Sequence, residues 1–374
     1  MGHFVSGNVS LQLERYPEEE SAELQAWEAA DAYLLQELEG VQPDGPVLIF
    51  NDQFGALTCA LHSTHPISIG DSFISQQALL QNAARNALPA DSVSWQDTLQ
   101  TLPKNPALVV IKIPKTLALL EHQLLMLKAV IGPQTRILAG AKARDIHTST
   151  LKLFERIIGP TRTSLAWKKA RLVYASPDMA LSAPVSPYPT VWALEGSGGE
   201  RIHNHANVFS RASLDIGARF FMQHIPSGMS GTLVDLGCGN GVIGLTALKQ
   251  NPEAEVIFID ESYMAVQSSR INIQENHPEF MSRCRFIVGN SLENIPANSI
   301  QLILCNPPFH QLQSITDHIA WQMFRDARRC LKHGGWLRII GNRHLAYHLK
   351  LRRLFNQCTT VAGNKKFVIL QSEK

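Results

Sequence analysis

The sequence lacks the features by which membrane and secreted proteins are recognised. A membrane-spanning helix needs about 20 consecutive apolar residues, and no run of that length occurs in the 374 residues. A secretory leader starts with basic residues followed by an apolar segment, whereas the first 20 residues carry a single base, Arg15, followed closely by three glutamates. These absences predict a cytoplasmic protein that does not enter a membrane.

Paired cysteines are also missing. No two of the six cysteines form a C-x-x-C pair, which excludes a zinc cluster of the usual spacing and a disulfide framework. No acidic residue or cysteine stands at ligand spacing from the few clustered histidines, so we predict no metal site. The cysteines are Cys59, Cys238, Cys284, Cys305, Cys330 and Cys358, and the histidines are His203, His205, His310 and His344.

Acidic residues are scarce in two stretches of the chain. The net charge is only +2, but residues 101–171 contain 13 Lys and Arg against 3 Asp and Glu, and residues 325–366 contain 11 against one. Residues 1–100 show the reverse, with 2 against 14. Because phosphates are bound mainly by Lys and Arg, the two basic blocks predict a surface for a polyanion. The alternative is a pair of solvated helix faces.

The length and the pattern of the chain predict two domains. The segment 175–190 is rich in Pro, Ser and Ala and has no apolar periodicity, which is typical of a connection between domains. After it, short apolar runs alternate with helical stretches: Thr232–Leu236, Glu255–Asp260, Arg285–Val288, Leu302–Cys305, Trp336–Ile340 and Phe367–Leu370. This alternation predicts an α/β domain with a doubly wound, Rossmann-like sheet over residues 191–374.

The first half repeats this plan over residues 1–175. Its apolar runs are Pro46–Asn51, Pro66–Asp71, Ala107–Ile113 and Arg136–Ala139. Where the second half has a glycine-rich loop and Asn306-Pro307-Pro308-Phe309, the first has Asn51-Asp52-Gln53-Phe54 and Pro114-Lys115. We interpret the chain as a tandem duplication whose first copy has lost its chemistry. Chance similarity between two doubly wound domains is the alternative.

The glycine-rich loop follows the run Thr232–Leu236. Gly237, Gly239 and Gly241 stand at alternate positions, so the backbone can approach a ligand without interference from Cβ atoms. The spacing differs from the G-x-G-x-x-G of dinucleotide sites, and an acidic residue, Asp235, precedes it. A carboxylate there would repel a pyrophosphate but suits the cationic end of S-adenosylmethionine.

Asp260 ends the next apolar run. A carboxylate at that place can accept both ribose hydroxyls of a nucleoside, which fits S-adenosylmethionine and NAD alike. Glu261 is a competitor for the same role, and a helix N-cap is the structural alternative.

Asn306-Pro307-Pro308-Phe309 follows the run Leu302–Cys305 and is typical of enzymes that methylate a planar amino group. Such an amine is a poor nucleophile because its lone pair is delocalised. The Asn306 side-chain oxygen and a main-chain carbonyl at Pro307 can hold both N–H bonds, while the prolines stiffen the loop. Phe309 can stack on the base, an interaction worth about 1–3 kcal/mol.

With these motifs the chain resembles the class I methyltransferases that carry an NPP[FYW] motif. More narrowly, it is similar to the ribosomal RNA guanine-N2 methyltransferases of the RlmG and RsmC kind, and most of all to those that methylate a guanosine of 23S rRNA. The segments that carry the resemblance are Phe209–Phe221, Val234–Leu245, Asp260–Ser262, Leu304–His310, Gly341–Leu345, Ala141–Ser149 and Leu165–Leu172. Almost the whole chain is covered.

The resemblance implies two tandem class I methyltransferase-like domains, the first degenerate, and a set of site residues. It implies that the cofactor is contacted by Asp235, Gly237, Gly239 and Asp260, and that the guanine is held by Asn306, Pro307 and Phe309. Many relatives contact the adenine with an Asp, where this chain has Asn290-Ser291. We predict that Asn290 contacts the adenine in place of that Asp; the alternative is that Asn290 makes no contact with the cofactor. Ser210 and Asp215 could help to close the cofactor pocket. For Ser210 the alternative is a structural role as a helix N-cap.

The resulting hypothesis is transfer of a methyl group from S-adenosylmethionine to guanine N2 in rRNA, with large-subunit rRNA favoured. Methylation of a protein glutamine amide or of adenine N6 uses related chemistry and is the enzymatic alternative. A non-enzymatic RNA-binding or assembly factor would fit the first half alone. The sequence does not imply an oligomer.

The basic block of the first half predicts its role. Lys142, Arg144, Lys168, Lys169 and Arg171 are interpreted as phosphate contacts, since such contacts position a nucleic acid without reading its bases. Residues 1–175 are therefore predicted to bind RNA, and residues 191–374 to bind the cofactor and catalyse the reaction.

Overall fold

The computed structural model describes residues 2–18, 24–308 and 313–374. These residues divide into two compact units, Met1–Pro187 and Tyr188–Lys374. The division lies inside the segment 175–190.

The first unit is built on an α/β sheet preceded by a hairpin. Its strands are β1 (Gly2–Ser6), β2 (Val9–Leu13), β3 (Val47–Phe50), β4 (Ile67–Gly70), β5 (Ser94–Asp97), β6 (Leu108–Lys112), β7 (Arg136–Lys142), β8 (Thr161–Thr163) and β9 (Ala170–Ala175). Its helices are α1 (Ala29–Glu37), α2 (Ala56–Ala60), α3 (Phe73–Arg85), α4 (Leu117–Lys128) and α5 (Thr148–Ile157).

Seven of these strands form one sheet in the order β5-β4-β3-β6-β7-β9-β8. The pairs from β5 to β7 are parallel, and β9 is antiparallel to both β7 and β8. All four residues of β3 are buried, as expected for a central strand covered on both faces. Val47 and Ile49 pack into the core on one face, and Leu48 and Phe50 into the core on the other.

The second unit has the same plan. Its strands are β10 (Thr190–Ala193), β11 (Arg201–Asn204), β12 (Gly231–Leu236), β13 (Ala254–Asp260), β14 (Cys284–Val288), β15 (Ile300–Cys305), β16 (Leu331–Asn342), β17 (Thr359–Gly363) and β18 (Phe367–Glu373). Its helices are α6 (Ile216–Met222), α7 (Val242–Gln250), α8 (Tyr263–Asn276), α9 (Gln313–Cys330) and α10 (Tyr347–Phe355).

The sheet order of the second unit is β14-β13-β12-β15-β16-β18-β17. Each strand has a counterpart at the same place in the sheet of the first unit. The parallel pairs run from β14 to β16, and β18 is antiparallel to both β16 and β17. The predicted fold, two tandem Rossmann-like α/β domains, is thereby confirmed. Among the described residues, no helix is long and apolar enough to cross a membrane.

A pair of asparagines repeats in the two units and joins the long helix to the amino-terminal hairpin. In the first unit, Asn82 of α3 accepts from the Glu14 N–H at 3.0 Å and donates to the Glu14 carbonyl at 2.9 Å. In the second, Asn272 of α8 makes the same two bonds to His203, at 2.7 and 2.9 Å.

One turn later on each helix, Asn86 and Asn276 bind the backbones of Gln12 and Arg201 in the same way. The shared bonds extend the correspondence between the halves from strand order to individual side chains, as a tandem duplication requires.

Candidate active site

The glycine-rich loop connects β12 to α7. Gly237, Gly239 and Gly241 have φ angles of 72°, 54° and 81°, in the left-handed region that favours glycine. The N–H groups of Gly237 and Cys238 donate to the Ile259 carbonyl at 2.8 and 3.0 Å, so the loop is pinned against the end of β13.

The three glycines face different surroundings. A Cβ at Gly241 would lie 3.1 Å from the Ser269 Cα, so this glycine serves helix packing. A Cβ at Gly237 would lie 4.0 Å from the Asn306 carbonyl oxygen, which places the glycine loop beside the Asn306-Pro307 loop. A Cβ at Gly239 would meet none of the described atoms within 4 Å. Gly239 is therefore the open point of the loop.

Asp260, the last residue of β13, binds the loop directly. One carboxylate oxygen accepts from the Gly239 N–H at 3.0 Å, and the other accepts from the Ser262 N–H at 3.0 Å. Burial raises the pKa of this carboxyl, and the backbone N–H donors Ser262, Gly239 and Glu261 act in the opposite direction. A carboxylate has about four acceptor sites, so acceptor capacity remains for a ligand hydroxyl. Ser262, not Asp260, caps α8, by accepting from the Ala265 N–H.

Asp235 lies in the interior of the unit. Its side chain is 2% exposed, and one oxygen accepts from the Gly244 N–H of α7 at 2.8 Å. Burial raises the pKa of Asp235 to about 8. The structure gives this residue a definite role in joining β12 to α7, while the predicted contact with the cofactor stays a prediction.

Asn306 directly follows β15 and is half-buried, whereas Pro307 is buried and Pro308 is exposed. The Asn306 Oδ1 atom is buried and has no hydrogen-bond partner among the described residues. Leaving such an acceptor unpaired costs about 1–3 kcal/mol. An unpaired buried acceptor is therefore expected where its partner is a ligand. Phe309, predicted to stack on the base, lies outside the described residues.

Asn290 follows β14 and is already hydrogen-bonded. Its side chain accepts from Gln322 of α9 at 3.1 Å and donates to Glu293 at 3.3 Å. Beside it, Ser291 has a φ of 51° and a buried Oγ atom with no partner in the described part of the chain. The sequence pattern contained no signal for Gln322, which lies 32 residues away. A contact of Asn290 with adenine remains a prediction.

The two candidates before the glycine loop have structural roles. Asp215 caps α6 by accepting from the Ala218 N–H at 2.9 Å. Ser210 donates to the Ser213 carbonyl at 2.8 Å and does not cap a helix, so the capping alternative considered for Ser210 is wrong.

Sequence reasoning missed an amide network behind the glycine loop. Asn240, inside the loop, donates from its side chain to Asn204 at 2.9 Å, and its carbonyl accepts from Asn272 at 2.9 Å. All three side chains are at least nine-tenths buried. The network fixes the loop to α8 and to the β10–β11 hairpin. The only sign of it in the sequence is Asn240, next to Gly241 in the loop.

The first unit has different side chains at the corresponding places. Phe50 of β3 pairs with Ile111 of β6, as Leu236 of β12 pairs with Cys305 of β15. The next residue, Lys112, therefore corresponds to Asn306 of the second unit. The Lys112 ammonium binds Asp31 at 2.6 Å and Glu28 at 3.5 Å. Asn51 corresponds to Gly237, since its N–H donates to the equivalent carbonyl, that of Ile69.

A basic concavity lies at the same end of the first sheet. Its volume is about 510 Å³, and it is lined by Ala29, Lys142, Ala143, Arg144, Lys168 and Lys169. Four of the five predicted phosphate contacts are among these residues. No cluster of three or more metal-binding side chains occurs in the described ranges.

The family model described as RLMG N-terminal domain matches residues 1–179, and the model described as Methyltransferase small domain matches residues 199–371. Each model therefore matches one of the two units, and the division between the units lies between the two matched ranges.

Curated relatives match over the full length. The Ribosomal RNA large subunit methyltransferase G of Serratia proteamaculans is 60% identical, covering 100% of this chain and 99% of the relative. The protein of the same name from Cronobacter sakazakii is 62% identical, with 98% and 97% covered.

Among solved structures, the Thermus thermophilus 16S rRNA N2 G1207 methyltransferase (RsmC), solved with AdoMet and guanosine, covers 100% of this chain and 97% of its own. The TM-score is 0.76 at 17% identity, a likeness that supports the fold of the whole chain.

Proposed function

The chain belongs to the ribosomal RNA large subunit methyltransferase G family, and on that premise we propose that it transfers the methyl group of S-adenosylmethionine to the exocyclic N2 amine of a guanine in 23S rRNA. The observation that carries the proposal is the buried, unpaired Oδ1 of Asn306, in a loop that passes beside Gly237 of the glycine loop. We place the reaction in the cytoplasm, where ribosomal RNA is matured.

The residues of the second unit fit S-adenosylmethionine. Space is open at Gly239, and Asp260 holds a carboxylate next to it with spare acceptor capacity for ribose hydroxyls. Gly237 lets the loop pass close to Asn306, so a ligand on the loop would reach the target amine. When bound, S-adenosylmethionine supplies an electrophilic methyl group on a sulfonium. Asn290 is proposed to face its adenine.

Asn306 and Pro307 are proposed to hold the target amine. Guanine N2 carries two N–H bonds, of which one would be donated to the Asn306 Oδ1 and the other to the Pro307 carbonyl. This arrangement fixes the nitrogen and directs its lone pair at the methyl group. Formation of the N–C bond breaks the S–C bond, and one N–H proton leaves to water. Phe309 is proposed to stack on the ring.

The base must leave its stack to reach this loop. An extruded guanine exposes its amine at an unstacking cost of a few kcal/mol, least in single-stranded regions. We propose that the first unit contributes RNA affinity through the cations around its concavity, Lys142, Arg144, Lys168 and Lys169, together with Arg171. Phosphate contacts of this kind position RNA without selecting a base.

A labelling experiment tests the proposal. The protein is incubated with S-adenosylmethionine labelled in its methyl group and, in separate reactions, with purified 23S and 16S rRNA, and the RNA is digested to nucleosides. N2-methylguanosine from 23S rRNA is the expected product. Label in N6-methyladenosine, or in glutamine of ribosomal protein added as a third substrate, would overturn the proposal in favour of the related amine chemistries.

A further inference from the structure

Both units carry two consecutive lysines at the start of the last long strand. Lys168-Lys169 precede β9, and Lys365-Lys366 precede β18. We call these pairs the lysine tips of the first and the second unit.

The two tips have equivalent backbone bonds. The Trp167 N–H donates to the Ala170 carbonyl at 2.8 Å across the first tip, and the Asn364 N–H donates to the Phe367 carbonyl at 2.9 Å across the second. The carbonyl of the second lysine of each tip also accepts from a turn that follows a central strand: Lys169 from Ala143 at 2.7 Å and Lys366 from Arg343 at 3.0 Å. The tips therefore occupy equivalent places, before the last long strand of each unit. Their turns differ, because Lys168 and Lys169 have positive φ angles of 45° and 66°, whereas the second tip is closed by the Asn364 side chain, which accepts from the Lys366 and Phe367 N–H groups.

The tip of the second unit lies at the edge of the sheet that carries the active site. Arg343, its hydrogen-bond partner, directly follows the last residue of β16. Asn306 directly follows the last residue of β15, and β15 and β16 are parallel neighbours. Parallel strands end at one edge of a sheet, so the tip and the Asn306 loop share that edge.

The charges of the tips are available to a ligand. All four lysines are exposed, and no carboxylate of the described residues forms a salt bridge with any of them. In the first unit the Lys168 ammonium lies 4.5 Å from the ring centre of Trp167, and in the second the Lys366 ammonium lies 5.1 Å from that of Phe367. An aromatic ring beside each tip gives one of its cations a preferred position.

The tips have persisted where the chemistry has not. The first unit has Gln53 at the position of Gly239 and Lys112 at that of Asn306, yet it carries two exposed lysines at the same place before its last long strand. Neither cofactor binding nor amine chemistry therefore accounts for the tips, whereas a polyanion that touches both units does.

We propose that Lys365 and Lys366 are positioning residues that bind backbone phosphates of the RNA strand next to the target guanine. The first tip is the counterpart that binds another RNA segment. The inference rests on the proposed function, because it takes the polyanion to be the RNA substrate. It adds a specific RNA contact within the catalytic unit.

The test measures binding of protein-free 23S rRNA, transcribed in vitro, to the full chain over a range of salt. K365A/K366A should weaken binding severalfold and lower the slope of log affinity against log salt by up to about two, about one for each phosphate contact that is lost. K365R/K366R should restore the slope because it keeps both charges. Calorimetric affinity for S-adenosylmethionine should not change.

Lys332→Ala is the matched control. Lys332 is also exposed, but it lies near the first residue of β16, at the opposite edge of the sheet from Asn306. The proposal is overturned if K365A/K366A has the slope of wild type or of Lys332→Ala, or if the arginine variant behaves like the alanine variant. Failure of the wild-type chain to form N2-methylguanosine would instead count against the proposed function, and the salt slopes would still judge the tips.

Discussion

The two halves of this chain have one scaffold and different side chains at its working edge. Asn306 of the second half offers a buried, unpaired oxygen, whereas Lys112 at the same register of the first half is bound by Asp31 and Glu28. In the first unit this position is therefore held by an internal salt bridge of Lys112, whereas in the second unit the Asn306 amide is available to a ligand. A few replacements can thus remove chemistry while the sheet, its strand order and the asparagine bonds to the hairpins persist.

The loops after the first central strand differ in the same way. Asn51 takes the left-handed position of Gly237 with a φ of 60°. Its side-chain amide exchanges hydrogen bonds with Gln123 at 2.9 and 2.8 Å. A pair of amides therefore lies at the place that Gly237, with no side chain, holds in the second half. We expect the first half to bind no S-adenosylmethionine.

The largest effect that separates the halves is expected at Asn306. Asn306→Ala should reduce methyl transfer by about 10²–10³, the loss typical of one preorganised polar contact at a reacting centre. Affinity for S-adenosylmethionine, measured by calorimetry, should stay close to that of the wild type. Single-turnover rates with 23S rRNA provide the measurement. Near-normal rates would refute the proposed role of the amide.

Strands and motifs could be predicted from the sequence because their causes are local. The buried run Val47–Phe50 and the glycines of the second loop carry their own signal, in apolar continuity and in spacing. Hairpins such as β1–β2 carried no such signal, since they are held by amides far along the chain, as Glu14 is by Asn82. The boundaries of most predicted strands needed revision by one to three residues, whereas β16 begins five residues before the predicted Trp336.

Site residues were harder to predict than strands, for a physical reason. The sequence shows that Asp235 is acidic, but its partner, the Gly244 N–H, depends on how α7 packs on β12. The bond from Gln322 to Asn290 depends likewise on the path of α9. Composition and spacing identify which residues can do chemistry, whereas tertiary packing decides which of their atoms are already bonded.

Gly239 also distinguishes the two halves, because the first half has Gln53 at this place. Gly239→Leu places a side chain in the space where the cofactor is proposed to bind, at a φ that disfavours it, and should weaken S-adenosylmethionine binding by at least about tenfold. Asp260→Ala should weaken it as well by removing the ribose acceptor. Calorimetry on the full chain measures both.

Gln53→Leu is the matched change in the first half, since exposed Gln53 holds the corresponding loop position. It should leave cofactor affinity unchanged. Equal losses in Gly239→Leu and Gln53→Leu would contradict the assignment of the cofactor to the second half. Circular dichroism verifies that each variant is folded.

The first half should matter for RNA and not for the cofactor. Neutralising Lys168, Lys169 and Arg171 together should lower the salt slope of RNA binding by up to about three, one for each phosphate that is no longer bound. Filter binding of 23S rRNA at several salt concentrations gives the slope, and calorimetry should show normal S-adenosylmethionine affinity. Exposed Lys104, at the other end of the first sheet, supplies the control variant Lys104→Ala. An unchanged slope in the triple variant would remove the proposed division of labour.

The smallest expected difference between the halves is one of pH. In each half a buried carboxylate accepts from the N–H three residues after the left-handed glycine that precedes a helix: Asp235 from Gly244 and Asp52 from Thr58. Burial raises the pKa of Asp52 to about 6 and that of Asp235 to about 8, from an ordinary value of 3.8. Each carboxyl therefore keeps its proton in the folded state at pH values where the unfolded chain has released it.

The free energy of unfolding should consequently fall as the pH rises from about 4, until about 6 for Asp52 and about 8 for Asp235. Asparagine keeps an acceptor oxygen without a titrating proton, so Asp235→Asn should gain stability relative to wild type up to about pH 8 and then hold a constant difference. Asp52→Asn should reach its constant difference near pH 6. Urea unfolding of the cofactor-free full chain between about pH 4 and about pH 9 measures both. If the two differences level off at one pH, or if the wild type gains stability relative to the variants as the pH rises, the two carboxyls do not titrate as their burial requires.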